Sequence, residues 1–440
     1  MPSVTPPDQP AVGVTPEGMP AHWQGVAWGA LAQRFGTPLY VYSGERLVDN
    51  AARLKEALHG LDTSICYAVK ANGNLAIMQV MASCGLGFDV GSTGELRRVQ
   101  RLMRDTGCHP RIVMTGPGKT TSTIAAGLAA GATIVAESVS ELHRIQQVAQ
   151  GMGTTAAVGV RVNPDLEAST HPHLATAGGE GKFGMALAEV RQLAASWRVW
   201  PALRLEGLHC HVGSALYRLD ELNAGLGLLV TLAVDLRDAG CALEWLDVGG
   251  GLAIAYGAAP VPDVGAYGDV LRAHLAGTGL ALHCQPGRFL VGDAGVLLAA
   301  VVEVKQAGRR RIVLCDAGMN DLLRPALYGA QHRIVALEGS GALQPADVAG
   351  PVCESADFLG REVWLPTEVG GLVAILDAGA YGMSMASNYN GRPRPAEVMV
   401  WGGEVVMVRQ RETPEDLMRG EALLPTGVLA CADASGPLPP

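Results

Sequence analysis

Residues 64–72 read SICYAVKAN. The run SICYAV has the composition of a buried strand, Lys70 stands at its end, and Ala71-Asn72-Gly73 follows as a turn signal. Seven further runs repeat this texture: GLGFDVGS (85–92), RIVMTGPGK (111–119), ATIVAES (132–138), AAVGVRVNP (156–164), LEGLHCHVGS (205–214), LEWLDVGGG (243–251) and ALHCQPGR (281–288). Each breaks into glycine or polar residues, and most precede a helix-like segment. Ser92 with Glu95 and Ser138 with Glu141 have the spacing of a capping box ahead of LRRVQRLM and LHRIQQV. Strands that are mostly apolar suggest a parallel sheet covered on both faces. Eight βα units in roughly 230 residues fit an α/β protein built on a (β/α)8 barrel of TIM type. A doubly wound open sheet is the alternative, but no GxGxxG follows the first strand.

Beyond about residue 298 the texture changes. RIVLCDAG (311–318), LVAILDAGAYG (372–382) and EVMVWGGEVVMVRQ (397–410) are short β runs punctuated by glycine, which predicts a C-terminal β domain. LYVYS at 39–43 reads as a strand ahead of the first barrel helix and joins that second domain. The expected organisation is a disordered Pro-rich tail over 1–23, a barrel over 46–298, a β domain from 24–45 and 299–425, and a flexible tail over 426–440.

The 440 residues are 48% hydrophobic and 17% charged, enough to bury a large core. A net charge of −9 without a basic block argues against a nucleic-acid partner. Nine cysteines are scattered without a CxxC pair, which fits reduced thiols and a cytoplasmic location better than disulfides or zinc. The N-terminus lacks the basic and apolar regions of a secretory signal, and GVLLAAVVEV (295–304) is too short for the roughly 20 residues of a membrane helix. No membrane partner is expected.

In a barrel of this type chemistry collects at the C-terminal ends of the strands, which here carry Lys70, Asp89, Asn163, His209, His211, Gly249 to Gly251 and Arg288. The glycine triplet ends the seventh run, where backbone N–H groups can converge on a phosphate, and Arg288 after the eighth supplies a cation nearby. A lysine opposite a phosphate cradle is the arrangement that pyridoxal phosphate requires. His209 and His211 lie two apart, hence on one face of a strand. Either they pack or stack on a flat ring, or they bind a metal, for which no third ligand is evident.

These residues occur within longer motifs. YAVKAN, GFDVGSTGEL, RVNPD with THPHLATAGGEGKFG, GLHCHVGS, LDVGGGL, PGRF, DAGMNDLLRPALYGAQH, GPVCESAD, DAGAYG and SNYNGRPRPAEV resemble the diaminopimelate decarboxylases, within the alanine-racemase-like group of pyridoxal phosphate enzymes. The likeness runs from about Tyr40 to Leu417. It implies that Lys70 carries pyridoxal 5'-phosphate as a Schiff base, that His211 stacks on its ring, and that Ser214, Gly250, Gly251 and Tyr381 bind its phosphate. Asp89 joins the cofactor-binding set in an orienting role. Arg288, Arg324 and Tyr328 would grip the distal carboxylate of meso-diaminopimelate, and Glu354 its amino group, with Tyr381 also at the substrate. Cys353 would come from the other subunit of a head-to-tail homodimer with shared active sites and donate the proton that replaces CO2. L-lysine is the implied product.

One position departs from the pattern. The family usually has a glutamate, paired with the pyridine nitrogen, where this chain has Gln285. A neutral amide can hydrogen-bond that nitrogen but cannot hold a positive charge by Coulomb attraction, so Gln285→Glu is expected to raise the rate. Three other readings stay open on the residues: a sister decarboxylase of a siderophore or polyamine pathway, a racemase of the same fold group, and a non-catalytic regulator. Arg324 and Tyr328 argue against the first, Cys353 to Ser355 and the distal-carboxylate set against the second, and Lys70, His211, the glycine loop and Tyr381 against the third.

Overall fold

The computed structural model describes residues 21–164, 182–211, 213, 216–256, 260–337, 342–366 and 368–425. Eight parallel strands close into a barrel: Thr63–Ala68, Gly87–Val90, Ile112–Met114, Thr133–Ala136, Ala156–Asn163, Leu203–His209, Trp245–Asp247 and Ala281–Cys284. They pair in chain order, and Ala281–Cys284 closes the ring against Thr63–Ala68. These are the eight runs read as strands from the sequence.

A large residue fills the barrel interior because two small ones admit it. Trp245 stacks on His283, with ring centroids 4.6 Å apart. A Cβ at Gly159 or Gly207 would lie 2.4 or 2.2 Å from the Trp245 ring, so the fifth and sixth strands must carry glycine there. The helices begin as their caps dictate, with one difference. Ser92 and Ser138 accept the N–H of Glu95 and Glu141, but each glutamate turns one residue further back, to the N–H of Gly91 and Glu137. The reciprocal box is completed elsewhere, by Thr413 and Asp416.

The second sheet is mainly antiparallel and is centred on the long strand Gly295–Ala307. Leu39–Ser43, fully buried, lies between Gly295–Ala307 and Ala396–Trp401. The inner end of the segment expected over 1–23 carries a short strand. His22–Trp23 pairs with Val26–Ala27, and Trp23 packs edge-on against Trp28 at 5.2 Å. Residues 1–20 and 426–440 lie outside the described residues. Among the described residues no helix is long and apolar enough to cross a membrane.

The two units are tied together at the lysine turn. Asn72 donates its side-chain amide to Gly379 O and to Tyr42 Oη, both at 3.0 Å, and the Tyr381 N–H donates to Ala71 O at 2.8 Å. The turn after the first barrel strand is thus held by the segment DAGAYG, over 300 residues away in the chain.

Candidate active site

Lys70 lies in the 3-10 turn Val69–Ala71 that follows the first barrel strand. Its Nζ is 3.9 Å from Asp89 Oδ2, and its side chain keeps 54% of its accessible surface, opening into the mouth, whereas that of Asp89 keeps 2%. Thr115, just past the third strand, orients the carboxylate by donating its hydroxyl to Asp89 Oδ1 at 2.5 Å. Enclosure by protein counts against a charged amine, yet the Asp89 carboxylate, followed by Tyr381, outweighs it and holds Lys70 above the usual lysine value. Burial raises Asp89 as well, with Lys70 opposing.

His209 ends the sixth strand and His211 follows two residues on. Burial, then nearby cationic charge, pushes both imidazoles well below their ordinary value, so both are neutral. Gly250 donates its N–H to His211 Nδ1 at 3.1 Å, which leaves the ring proton on Nε2. Neither ring nitrogen of His209 makes a hydrogen bond of ordinary geometry among the described residues, although the Gln285 side chain stands close enough to act on the ring. The glycine loop is compact for a steric reason. A Cβ at Gly249, Gly250 or Gly251 would lie 2.6 Å from His211 Nδ1, 2.4 Å from Gln285 O or 2.3 Å from Gly213 O.

Beside this site is a second, cationic pocket. Arg288, 4% exposed at the start of the short helix Arg288–Val291, donates to Tyr256 Oη at 2.9 Å and lies 5.0 Å from the Tyr381 ring centroid. Arg324, also 4% exposed, opens the helix Arg324–Tyr328 and sits 4.4 Å from the Tyr256 ring centroid. Its NH1 meets His332 Nε2 at 2.8 Å, while His332 Nδ1 meets Leu376 O at 2.9 Å. A carbonyl only accepts and a guanidinium only donates, so the ring proton is on Nδ1 and His332 is neutral. Burial and then the Arg324 charge agree, holding His332 at about 3. No carboxylate among the described residues pairs with Arg324. Two buried guanidinium groups around aromatic rings make a receptor for an anion.

The pyridoxal binding domain model of the pyridoxal-dependent decarboxylases matches residues 45–292. The diaminopimelate decarboxylase of Neisseria meningitidis is 44% identical over 398 residues, 90% of this chain and 97% of its own length. The chain belongs to the diaminopimelate decarboxylase family. The Pseudomonas aeruginosa member is 41% identical over 91% of this chain and 97% of its own. A crystal structure of the Helicobacter pylori diaminopimelate decarboxylase complexed with L-lysine superposes with a TM-score of 0.85 at 35% identity, covering 89% of this chain and 98% of that one.

The donor set suits the cofactor of this decarboxylase family. An accessible amine, a neutral flat imidazole, a glycine loop at the seventh strand and the unsatisfied nitrogens of His209 meet the needs of a phosphorylated pyridine ring. Of the residues named from the sequence, Lys70, Asp89, His211, Gly250, Gly251, Gln285, Arg288, Arg324 and Tyr381 occupy the barrel strand ends and the β-domain segments beside them. Tyr328 ends the short helix begun by Arg324 and is partly exposed. Ser214 lies outside the described residues. Cys353 and Glu354 are exposed, and among the described residues no hydrogen bond or ring contact joins either to Lys70 or to the arginine pocket. Sequence reasoning did not single out Thr115, Arg161, Asp247, Tyr256 or His332. Asp247 had a signal, since it directly precedes the VGGG run, and Arg161 opens RVNPD at the end of the fifth strand.

Proposed function

We propose that the chain decarboxylates meso-2,6-diaminopimelate to L-lysine and CO2 with pyridoxal 5'-phosphate as cofactor. The observation that carries this reading is the pairing of the Lys70–Asp89 amine with a separate buried arginine pocket beside the same mouth. When bound, pyridoxal phosphate supplies the electron sink for the pair released with CO2.

The side chains do the rest. Lys70 anchors the cofactor, with Asp89 and Thr115 fixing where the amine stands. His211 offers a neutral flat face to the ring, and Ser214, Gly250, Gly251 and Tyr381 are the phosphate ligands of this proposal. The Gly250 N–H is engaged by His211, so a phosphate there has to displace that bond. Arg288, Arg324 and Tyr328 receive the distal carboxylate, and His332 and Tyr256 position the two guanidinium groups. An amino acid without that second carboxylate leaves the desolvated Arg324 guanidinium with no counter-charge among the described residues, the situation that discriminates most strongly between substrates.

Cys353 and Glu354 fit a second copy of the chain better than this one. Both are exposed on a loop braced by Asp357, which accepts the N–H of Val352 at 2.7 Å and of Met319 at 2.6 Å. In a homodimer with shared sites that loop reaches the partner's mouth, where Cys353 Sγ–H protonates the carbon that has lost CO2 and Glu354 receives the distal ammonium. Co-expressing a Lys70→Ala chain with a Cys353→Ala chain is then expected to restore about a quarter of wild-type activity, because half the dimers are mixed and each has one intact site. No recovery above either variant alone would place both residues in one chain's site. Free thiols at all eight described cysteines accord with a reducing, cytoplasmic setting.

The direct test supplies the cofactor-loaded protein with meso-diaminopimelate, ornithine, arginine, lysine and glutamate separately and measures amine and CO2. Equimolar lysine and CO2 from diaminopimelate alone is the expected result. A loaded protein active on ornithine instead would replace this reading with the polyamine one.

A further inference from the structure

Gln285 is not an isolated amide. Its Nε2 donates to Asp247 Oδ2 at 2.7 Å, while Asp247 Oδ1 accepts the Gly249 N–H at 2.8 Å and the Gln285 N–H donates to Gly249 O at 2.7 Å. These bonds lock the ends of the seventh and eighth strands together. Asp247 is 0% exposed and Gln285 5%. An ionised carboxylate accepts and never donates, so it fixes which end of the amide faces it and turns the Gln285 carbonyl oxygen away. On the other side lie the mouth and the ring of His209.

We propose that Asp247 is a positioning residue for the cofactor's pyridine nitrogen: it orients Gln285 so that Oε1 accepts the N–H of a protonated ring, and it supplies the negative charge that Gln285 lacks. This rests on the pyridoxal phosphate reading above. The aldehyde carbon and the nitrogen of that cofactor are at opposite ends of its ring, so a ring held through Lys70 points its nitrogen away from the lysine, to the buried wall where Gln285 and His209 stand. The proton stays on the ring nitrogen and the charge on Asp247, two hydrogen bonds apart in a medium of low dielectric. A carbonyl oxygen has two lone pairs, so the ring N–H is accommodated even where His209 approaches. The charged groups that act on Asp247 are Asp89, which raises its carboxyl, and Arg111, which lowers it. Burial lifts the Asp247 carboxyl to about 7, and a cation beyond Gln285 draws it back toward the ionised form.

The arrangement also alters what Gln285→Glu should do. A carboxylate placed 2.7 Å from Asp247 must share a single proton with it. The pair then keeps one negative charge, as in the native protein.

The test is the 15N chemical shift of ring-labelled pyridoxal phosphate bound to the full-length protein, with cofactor absorbance recorded alongside. A protonated nitrogen is expected in the native protein and in Gln285→Glu. In Asp247→Asn the new amide still accepts the Gly249 N–H but donates to Gln285, which must turn its own NH2 toward the ring; a donor facing the nitrogen excludes the protonated form, so the shift moves to that of neutral pyridine. Gln285→Leu, which leaves Asp247 in place and removes the relay, is expected to do the same. Bound cofactor with one shift in native protein and Asp247→Asn, or a neutral nitrogen in the native protein, overturns the assignment alone. Absence of cofactor absorbance from every form overturns the cofactor reading with it.

Discussion

Lys70→Ala is expected to abolish decarboxylation, with a loss on the order of 10^4-fold, because one amine provides the covalent hold on the cofactor. The loss should be separable from misfolding. Lys70 is exposed into the mouth and its one ion pair among the described residues is a loose one with Asp89 at 3.9 Å, whereas the turn itself is held by the backbone and side chain of its neighbours Ala71 and Asn72. Borohydride reduction followed by peptide mass analysis is the measurement: cofactor mass on the Lys70 peptide of the native chain, and none on any peptide of the variant. Cofactor fixed to another lysine in the native chain would remove Lys70 from its proposed role.

Arg324→Ala is expected to lower kcat/KM for diaminopimelate by on the order of 10^2- to 10^3-fold while cofactor absorbance stays unchanged. The guanidinium is buried, and among the described residues neutral His332 and the Tyr256 face hold it and no carboxylate pairs with it, so its charge awaits an anion. Arg324→Lys should not rescue, since an ammonium cannot both donate to His332 and present a planar fork to a carboxylate. Steady-state kinetics decides the matter, and a change below about threefold would mean that the distal carboxylate is bound elsewhere.

The barrel was legible in the sequence because each strand reports itself locally. A buried parallel strand is a short apolar run, and the residues that end it, such as Lys70, Gly249 and Gln285, follow within one or two positions. Helix starts were legible for the same reason, though only in part. Ser92 and Ser138 cap as their spacing requires, but Glu95 and Glu141 reach one residue further back, and Glu141 also bonds the buried Lys119 at 3.0 Å. That ion pair spans 22 residues and has no local signature.

What the sequence by itself determined is the order of the eight strands, the second sheet after them and the residue types collected at the strand ends, since all three follow from short-range patterns of apolar and turn residues. Only the tertiary structure decided which of those residues act on one another. Thr115 meets Asp89 across 26 residues, Gln285 meets Asp247 across 38, and His332, the last residue of DAGMNDLLRPALYGAQH but given no role by the sequence, lies between Arg324 and the carbonyl of Leu376 44 residues on. Read alone, Gln285 is a lost charge. In the fold it is an amide aimed by a buried carboxylate, because closing the barrel brings the ends of the seventh and eighth strands within hydrogen-bond reach, and no periodicity in the chain encodes which side chains meet there.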